Sequence, residues 1–512
     1  MFKKKRMALG VATSLLGAVG VATTAQAVQI NPDGTGQVLL FPYFNAHPGY
    51  VTNINLVNST DETKAVKIRF REGKSSYDIL DFNIYMSPQD VWAGNIRMAE
   101  DNDSTQVGSI NTRDLSCTLP KKAAATCADE ECESSTKFFG QDVYEGIEAA
   151  DTLEGYVEVI EMGVVTDSSV QNGVLHTNGV PNNCDVIEQA WNSGNFNEGP
   201  VTYDLQNDQY VATPTTVRGL SAPTGGLFGS SAVLNVEEGT AFAIDPVAIE
   251  NYSTQAQHYR SDQDYTFLLP SLASGDVQVS NVRVKNSKGL TDMVETNWAL
   301  TSEDGCIADG DNLTPPCGSN PYPVSHVLLA SNIMNEYFLD PSGGYDGHTD
   351  WVVTFPMKKH GIFATENDVS VSVAGVYDRE ETRAESEHFG FSPVLPVPEE
   401  ETILSREVNV ISFSSSDSDY DASRTVLSSH VELDLNVSDF VSGWARMNFT
   451  DYGLSEGFVD AMAYGSDPDA YDENSRIYQG VPLIGFAALE GNVSENPNAR
   501  FGDAIPHRID RR

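Results

Sequence analysis

Apolar and polar residues alternate with period two through much of this chain. Val66, Ile68 and Phe70 alternate with Lys67, Arg69 and Arg71; Val369, Val371 and Val373 alternate with Ser370 and Ser372; Val431, Leu433, Leu435 and Val437 alternate with Glu432, Asp434 and Asn436. Successive side chains of a strand point to opposite faces, so the pattern predicts strands with one face in a core and the other in water, as in antiparallel sheets. Further strands are expected over residues 37–44, 52–57, 79–85, 155–162, 232–236, 277–285, 351–355 and 407–413. Turn-prone clusters of Asn, Asp, Gly and Ser separate them. Helical periodicity is scarce. Residues 245–252 and 325–338 are the two helical candidates, the second because Val327, Leu328, Ile333 and Met334 can share one face. The expected fold is all-β: two antiparallel β-sandwich-like domains with long disulfide-tied loop insertions and few short helices.

The N-terminus breaks this pattern. Lys3, Lys4, Lys5 and Arg6 precede an uncharged, mostly apolar stretch from Met7 to Val21, and Ala25-Gln26-Ala27 supplies a small-x-small cleavage site. This is the layout of a secretory signal peptide, and the apolar run is too short and too rich in Gly, Ala and Thr for a membrane span. Cleavage is expected between Ala27 and Val28, giving a secreted or cell-surface protein, with the periplasm as a further compartment. Residues 1–27 are read as the signal peptide, 28–270 as an N-terminal sandwich with insertions, and 271–512 as a C-terminal sandwich. Residues 97–150, 164–225 and 301–323 read as polar insertions. Residues 390–403, with Pro393, Pro396 and Pro398 beside Glu399, Glu400 and Glu401, read as a stiff linker or long loop.

Charge then narrows the partners. The leader holds four of the 31 basic residues and none of the 73 acidic ones, so the processed 485 of 512 residues carry 27 basic against 73 acidic groups, a net charge near −46. Such a surface repels nucleic acid and anionic head groups, and it stays soluble where salt screens self-repulsion. No segment after the leader is long and apolar enough to span a bilayer as a helix.

The six cysteines are Cys117, Cys127, Cys132, Cys184, Cys306 and Cys317. An even number in an exported chain points to disulfides. Cys306 and Cys317 stand alone in the second half and are expected to close one small loop. The other four allow three pairings, of which Cys127–Cys132 with Cys117–Cys184 is favoured.

Several strings resemble a group of exported, uncharacterised proteins of Gram-negative bacteria. They are Phe41-Pro42-Tyr43-Phe44, Lys67-Ile68-Arg69-Phe70-Arg71-Glu72, Asp81-Phe82-Asn83 through Asp90-Val91-Trp92, Glu161-Met162-Gly163, Gly225-Gly226-Leu227-Phe228-Gly229, the run from Thr349 to Pro356, and Gly480-Val481-Pro482-Leu483-Ile484-Gly485-Phe486. The resemblance spans most of the processed chain. It implies export and fold class and brings no known activity, cofactor or catalytic residue.

No motif carries catalysis. The nine histidines are scattered without a His-Glu-x-x-His pattern, and His47, His326, His348, His360 and His388 can meet only through the fold. Gly229-Ser230-Ser231 reads as a Gly-rich entry to a strand rather than a nucleophile elbow. Carboxylates such as Glu158, Glu161, Asp350 and Asp378 are too abundant for any pairing to be specific, and a glycosidase needs two across a cleft. The metal candidates are acidic loops suited to calcium: Asp417, Asp419 and Asp421, and Asp467, Asp469 and Asp472. The first has the odd-position carboxylates of an EF-hand start but Ala422 and Ser428 where that loop needs Gly and Glu. Asp304, Asp309 and Asp311 form a third acidic loop. Trp92, Trp191, Trp298, Trp351 and Trp444 are candidates for stacking on sugar rings, with Trp351 read as core. The functional expectation is an exported surface or extracellular-matrix protein that acts by binding or assembly on the cell envelope, a glycan or its own copies. The alternative is a secreted carbohydrate-active or carbohydrate-binding protein.

Overall fold

The computed structural model describes residues 26–511 apart from 101–103, 122–132, 139–145, 200, 205–208, 213–215, 263–268, 286–287, 299–319, 340–344, 361–368, 381, 383–390, 393–401, 417–423, 430–431, 438–439, 450–451, 456–461, 464–476 and 494–499. Strands dominate it, with three short helices among the described residues. The first half supplies β1 (Gln29–Ile30), β2 (Val38–Asn45), β3 (Tyr50–Asn58), β4 (Lys64–Glu72), β5 (Asp78–Met86), β6 (Val91–Glu100), β7 (Gln106–Thr112), β8 (Cys117–Leu119), β9 (Ser134–Lys137), β10 (Glu154–Val165), β11 (Leu227–Asn235), β12 (Thr240–Ile244) and β13 (Val247–Glu250). These form one eight-stranded sheet, in the order β1-β13-β2-β10-β4-β5-β8 with Leu220–Ser221 also on β10, and one six-stranded sheet, β12-β11-β3-β6-β7-β9. Leu39, Phe41, Ile54, Leu56, Val66, Ile68, Phe70, Trp92 and Ile96 join the two sheets in one buried cluster.

The second half supplies β14 (Asn332–Phe338), β15 (Tyr345–Thr354), β16 (Val369–Asp378), β17 (Thr402–Leu404), β18 (Val408–Ser414), β19 (Glu432–Asn436), β20 (Ser442–Asn448), β21 (Ile484–Val493), β22 (Arg500–Pro506) and β23 (Arg508–Asp510). Its sheets run β17-β16-β20-β14-β23 and β19-β18-β15-β21-β22, the latter extended by Phe391–Ser392 beside β19. Ile333, Tyr337, Trp351, Val353, Val376, Phe413, Leu435, Ala445 and Met447 pack between them. Pairing is antiparallel throughout the main sheets except β18 with β19, which are parallel. The all-β, sandwich-like architecture is the one that period-two alternation predicts.

The wet face expected of β4 is not wet. Val66, Ile68 and Phe70 enter the sandwich core, but Lys67, Arg69 and Arg71 on the other face are also buried. A second layer, made of residues 252–261 and 270–277 and of the chain near Lys358 and Glu407, lies over that face. Burying these cations is tolerable only because each is paired and hydrogen-bonded. Glu158 of the neighbouring β10 accepts from Arg71 Nε at 2.6 Å and from Arg69 Nη1 at 3.3 Å. Arg69 Nε also donates to Asp78 at 2.6 Å, and its Nη1 to the Pro270 carbonyl at 2.9 Å. Arg71 Nη1 donates to the Ser76 carbonyl at 2.7 Å. Lys67 donates to Asp81 at 3.1 Å and to Ser261 in the covering layer at 2.6 Å. Lys64 donates to Glu161 at 2.7 Å, and the same carboxylate accepts the backbone N–H groups of Thr224 and Gly225. Burial alone pushes Glu158 up, but Arg71 and Arg69 outweigh it and hold the carboxyl down at about 2.

Further apolar residues link the two pairs of sheets: Tyr43, Tyr50, Tyr156 and Phe242 from the first, Val352, Val410 and Phe486 from the second, with Val426 and Leu427 wedged among them. Asp350 fixes that wedge by accepting the N–H groups of Val426 at 3.0 Å and Leu427 at 2.8 Å. The opposite side of the wedge is tied to the first sandwich, where Tyr50 Oη donates to the Val426 carbonyl at 2.7 Å and Asn45 Nδ2 to the Leu427 carbonyl at 2.6 Å.

Several expectations are corrected. Residues 325–338 are not one helix: α3 spans Tyr322–Leu328, and the chain then extends into β14. Ile333 and Tyr337 point inward while Met334, Glu336 and Phe338 point outward, and this period-two set prevails over the looser helical face. Residues 245–252 contain strand β13, which completes the sheet beside β2. The polar insertion 97–150 supplies β7, β8 and β9, with Ile110, Leu119 and Phe138 buried. Residues 164–225 hold α1 (Ser168–Val174), capped by Asp167, and α2 (Asp185–Ser193), ended by Gly194 in a left-handed conformation. Cys117 is bonded to Cys184, which ties the start of α2 to β8. Cys127, Cys132, Cys306 and Cys317 lie outside the described residues.

Two outcomes are expected for stability. Glu158→Gln leaves two buried guanidiniums without their shared counter-charge, so urea unfolding should show a loss of about 3–5 kcal/mol. Paired Cys117→Ser and Cys184→Ser replacement opens a closure spanning 67 residues and should lower stability by about 4 kcal/mol on the chain-entropy scale, read by the same titration.

Candidate functional site: an uncharged sheet face

The residues singled out in the sequence are placed mainly in structural roles. Glu158 and Glu161 are consumed by the buried ion pairs, and Asp350 by the wedge. His326 is buried against Trp298 and Tyr478 and bonds Ser280, while His348 pairs with Asp346; His388 lies outside the described residues. His507, which drew no attention in the sequence, has both ring nitrogens engaged. Its Nε2 is 3.0 Å from the Val352 carbonyl and its Nδ1 is 3.1 Å from Asn335 Nδ2, so the neutral ring donates to the first and accepts from the second. Burial pushes it down to about 4. Ser230 sits inside β11 rather than before it, beside Asn55 and, among the described residues, without a histidine partner. Asp417, Asp419, Asp421, Asp467, Asp469 and Asp472 lie outside the described residues, as do Asp304, Asp309 and Asp311. Among the described residues no group of three His, Cys, Asp or Glu side chains is placed to hold a metal, and no helix is long and apolar enough to cross a membrane.

What the fold does assemble is a broad face without charge. On the outer side of the six-stranded sheet, the register brings together Ala243, Ala232, Asn53 and Asn95 in one row across β12, β11, β3 and β6. The next row on one side is Ser230, Asn55 and Ala93, and beyond it come Phe228, Val57 and Val91. On the other side, Ala241, Leu234 and Val51 lead to Arg97, the one charged residue of these rows, at the margin. The sequence folds this way because Ile54, Leu56, Trp92 and Ile96 alternate with these positions and turn into the core. Val91 is 50% and Phe228 40% exposed. Strand spacing and rise give the face about 500 Å². The side chains are mostly short, which lets another flat surface approach closely.

The rest of the surface is the reverse. Lys64, Lys67, Arg69, Arg71 and Lys358 are buried, so the exterior is poorer in cations than the composition suggests. Phe228 belongs to a string that drew attention in the sequence, but the face as a whole did not, because its residues come from four separate strands.

Compared with protein-family models, curated proteins and solved structures, the chain matches none.

The His507 geometry has a consequence for pH. Because the folded state keeps this ring neutral down to about 4 while an unfolded histidine titrates near 6.5, its contribution is full above 6.5 and is lost as pH falls toward 4. The shift corresponds to about 3 kcal/mol. Melting curves from pH 7.5 to 4 should fall more steeply for the wild type than for His507→Gln, which keeps a donor and an acceptor but has no proton to gain.

Proposed function

We propose that this is an exported protein of the cell surface or extracellular matrix that acts by binding and assembly rather than catalysis, and that it meets its own copies through the outer face of β12-β11-β3-β6. The observation that carries this reading is the contrast between that face and the rest of the surface. A chain with 73 acidic and 31 basic residues repels its own kind wherever carboxylates face one another. Over the rows from Ala243 to Asn95 and from Ser230 to Val91 no carboxylate stands in the way. Two such faces together bury about 1,000 Å², the lower end of what specific interfaces use. Association of this kind is weak and concentration-dependent, and it suits a protein laid down in many copies on a cell envelope. Export rests on the leader-like N-terminus. Calcium, if the loops at Asp417 and Asp467 take it, adds to assembly by bridging carboxylates.

Salt should promote the contact, because the Debye length falls from about 30 Å at 0.01 M to about 8 Å at 0.15 M while, among the described residues, the rows of the face hold no ion pair but that of Arg97 with Glu133 at the margin. Sedimentation and light scattering across that range should show self-association that strengthens with salt. Ala232→Asp sets like charges opposite one another at the centre of the face and should weaken association at least tenfold, about 1.4 kcal/mol, with an unchanged melting temperature. A processed chain that stays monomeric at every salt and does not bind washed cells would refute the reading.

A further inference from the structure

The second pair of sheets holds a cleft of about 650 Å³, within the range that small ligands occupy. It lies where the C-terminal ends of β14 and β16 meet the N-terminal end of β20, the register setting Trp444 opposite both Glu336 and Tyr377. Tyr377 and Trp444 are half-buried and stacked, with ring centroids 4.5 Å apart and planes 10° from parallel. The pair is held from both sides. The Arg446 guanidinium lies over the Trp444 ring at 5.6 Å. The Tyr377 ring lies over Gly375, where an added Cβ would come within 2.7 Å of it. The glycine therefore leaves the room that the ring occupies. Polar groups converge around this stack. Glu336 and Arg379 line the cleft exposed, and Asp378 lines it with one oxygen committed to the N–H groups of Glu380 and Thr382 at 2.9 and 2.7 Å.

We propose that this cleft is a binding site for a neutral saccharide. The parts of the Tyr377 and Trp444 rings that line the cleft offer apolar contact to the C–H groups of a pyranose, while its hydroxyls donate to carboxylates and accept from guanidinium groups, and this site offers all three around one stack. Other ligand classes fit it less well. Nucleic acid and acidic sugars meet both the cleft's carboxylates and the large negative charge of the chain. A cationic ligand finds the face of Trp444 already covered by Arg446. Hydrolysis is not part of the proposal: Glu336 is exposed, and Asp378 ties down a turn, whereas a glycosidic acid is kept protonated by an apolar setting. The site is independent of the assembly face, which lies on the other pair of sheets.

The test is calorimetric titration of the full processed chain with neutral gluco-, manno- and galacto-oligosaccharides, with alginate oligomers as the acidic comparison. At least one neutral oligosaccharide should bind with micromolar to millimolar affinity and should be recovered uncleaved. Trp444→Ala and Tyr377→Ala should each weaken it tenfold or more, and Gly375→Ala should weaken it by displacing the Tyr377 ring. Should the alanine variants fail to fold, hydrogen exchange on the wild type decides: bound saccharide slows exchange in β16 and β20 if the site is right. Binding by none of the neutral sugars, binding of alginate alone, undiminished affinity in both alanine variants, or unaltered exchange in those strands would each overturn the proposal. Repeating the titration on Ala232→Asp keeps this result separate from the assembly reading, since that variant should bind saccharide normally.

Discussion

Arg69 and Arg71 grip Glu158 between two adjacent strands, out of reach of water, and much of the molecule is arranged around that fact. Two guanidiniums and a carboxylate buried together are strongly destabilising unless every lone pair and N–H finds a partner. The partners come from the adjoining hairpin, through Asp78 on β5 and the Ser76 carbonyl in the turn before it, and from a distant part of the chain, through the Pro270 carbonyl in the covering layer. Charged hydrogen bonds of this kind are directional, so a covering chain shifted by a residue would leave a charge unmet. An apolar layer would tolerate such a shift. We read the cluster as a device of register more than of net stability, since buried ion pairs commonly contribute little over a hydrophobic filling.

Placing cations inside has an effect outside. Each lysine or arginine consumed by the sheet is one fewer to sit among the surface carboxylates, so the exterior has fewer cations than the composition alone implies. The buried cations are largely neutralised by buried acids, notably Glu158, Glu161, Asp78 and Asp81, which leaves the remaining acids with few partners. A protein built this way remains dispersed in dilute medium and loses that protection where salt is high. The uncharged face then matters because it is where close approach involves no carboxylate pair.

How far the sequence discloses this depends on the kind of information needed. Alternation is local, so the strands at 66–70 and 369–373, the one at Glu432–Asn436 and those around Phe41, Ile54, Val159 and Trp351 are all legible. The burial of Arg69 and Arg71 was not, because a strand with Lys and Arg on alternate positions reads as half-solvated, and the layer that covers it is separated by about two hundred residues of chain. The helix at Ser168–Val174 left a signal in Asp167, whose carboxylate caps it, but Asp is common enough in this chain that the cap did not stand out. Trp351 was legible as core from its place in an apolar strand, and it is fully buried. Trp444 looked no different in sequence, and only the register with Tyr377 and Glu336 sets it beside a cleft.

The same period-two rule produces opposite surfaces in β4 and β3, and the difference lies in what the second set of positions contains. In β4 that set is Lys67, Arg69 and Arg71, long side chains whose charges, once covered, need partners and receive them. In β3 it is Val51, Asn53, Asn55 and Val57, shorter side chains whose hydrogen-bonding needs water can meet. Among the described residues the outer positions of β3 remain exposed or half-exposed, whereas those of β4 are covered. A face left open without charge on so acidic a molecule is retained at some risk of unwanted association. Short polar side chains reduce that risk without removing it: Asn and Ser keep the face hydrated, and Phe228 and Val91 confine the larger apolar area to one end. That balance favours reversible contact over irreversible aggregation, which is the property the proposed surface assembly needs.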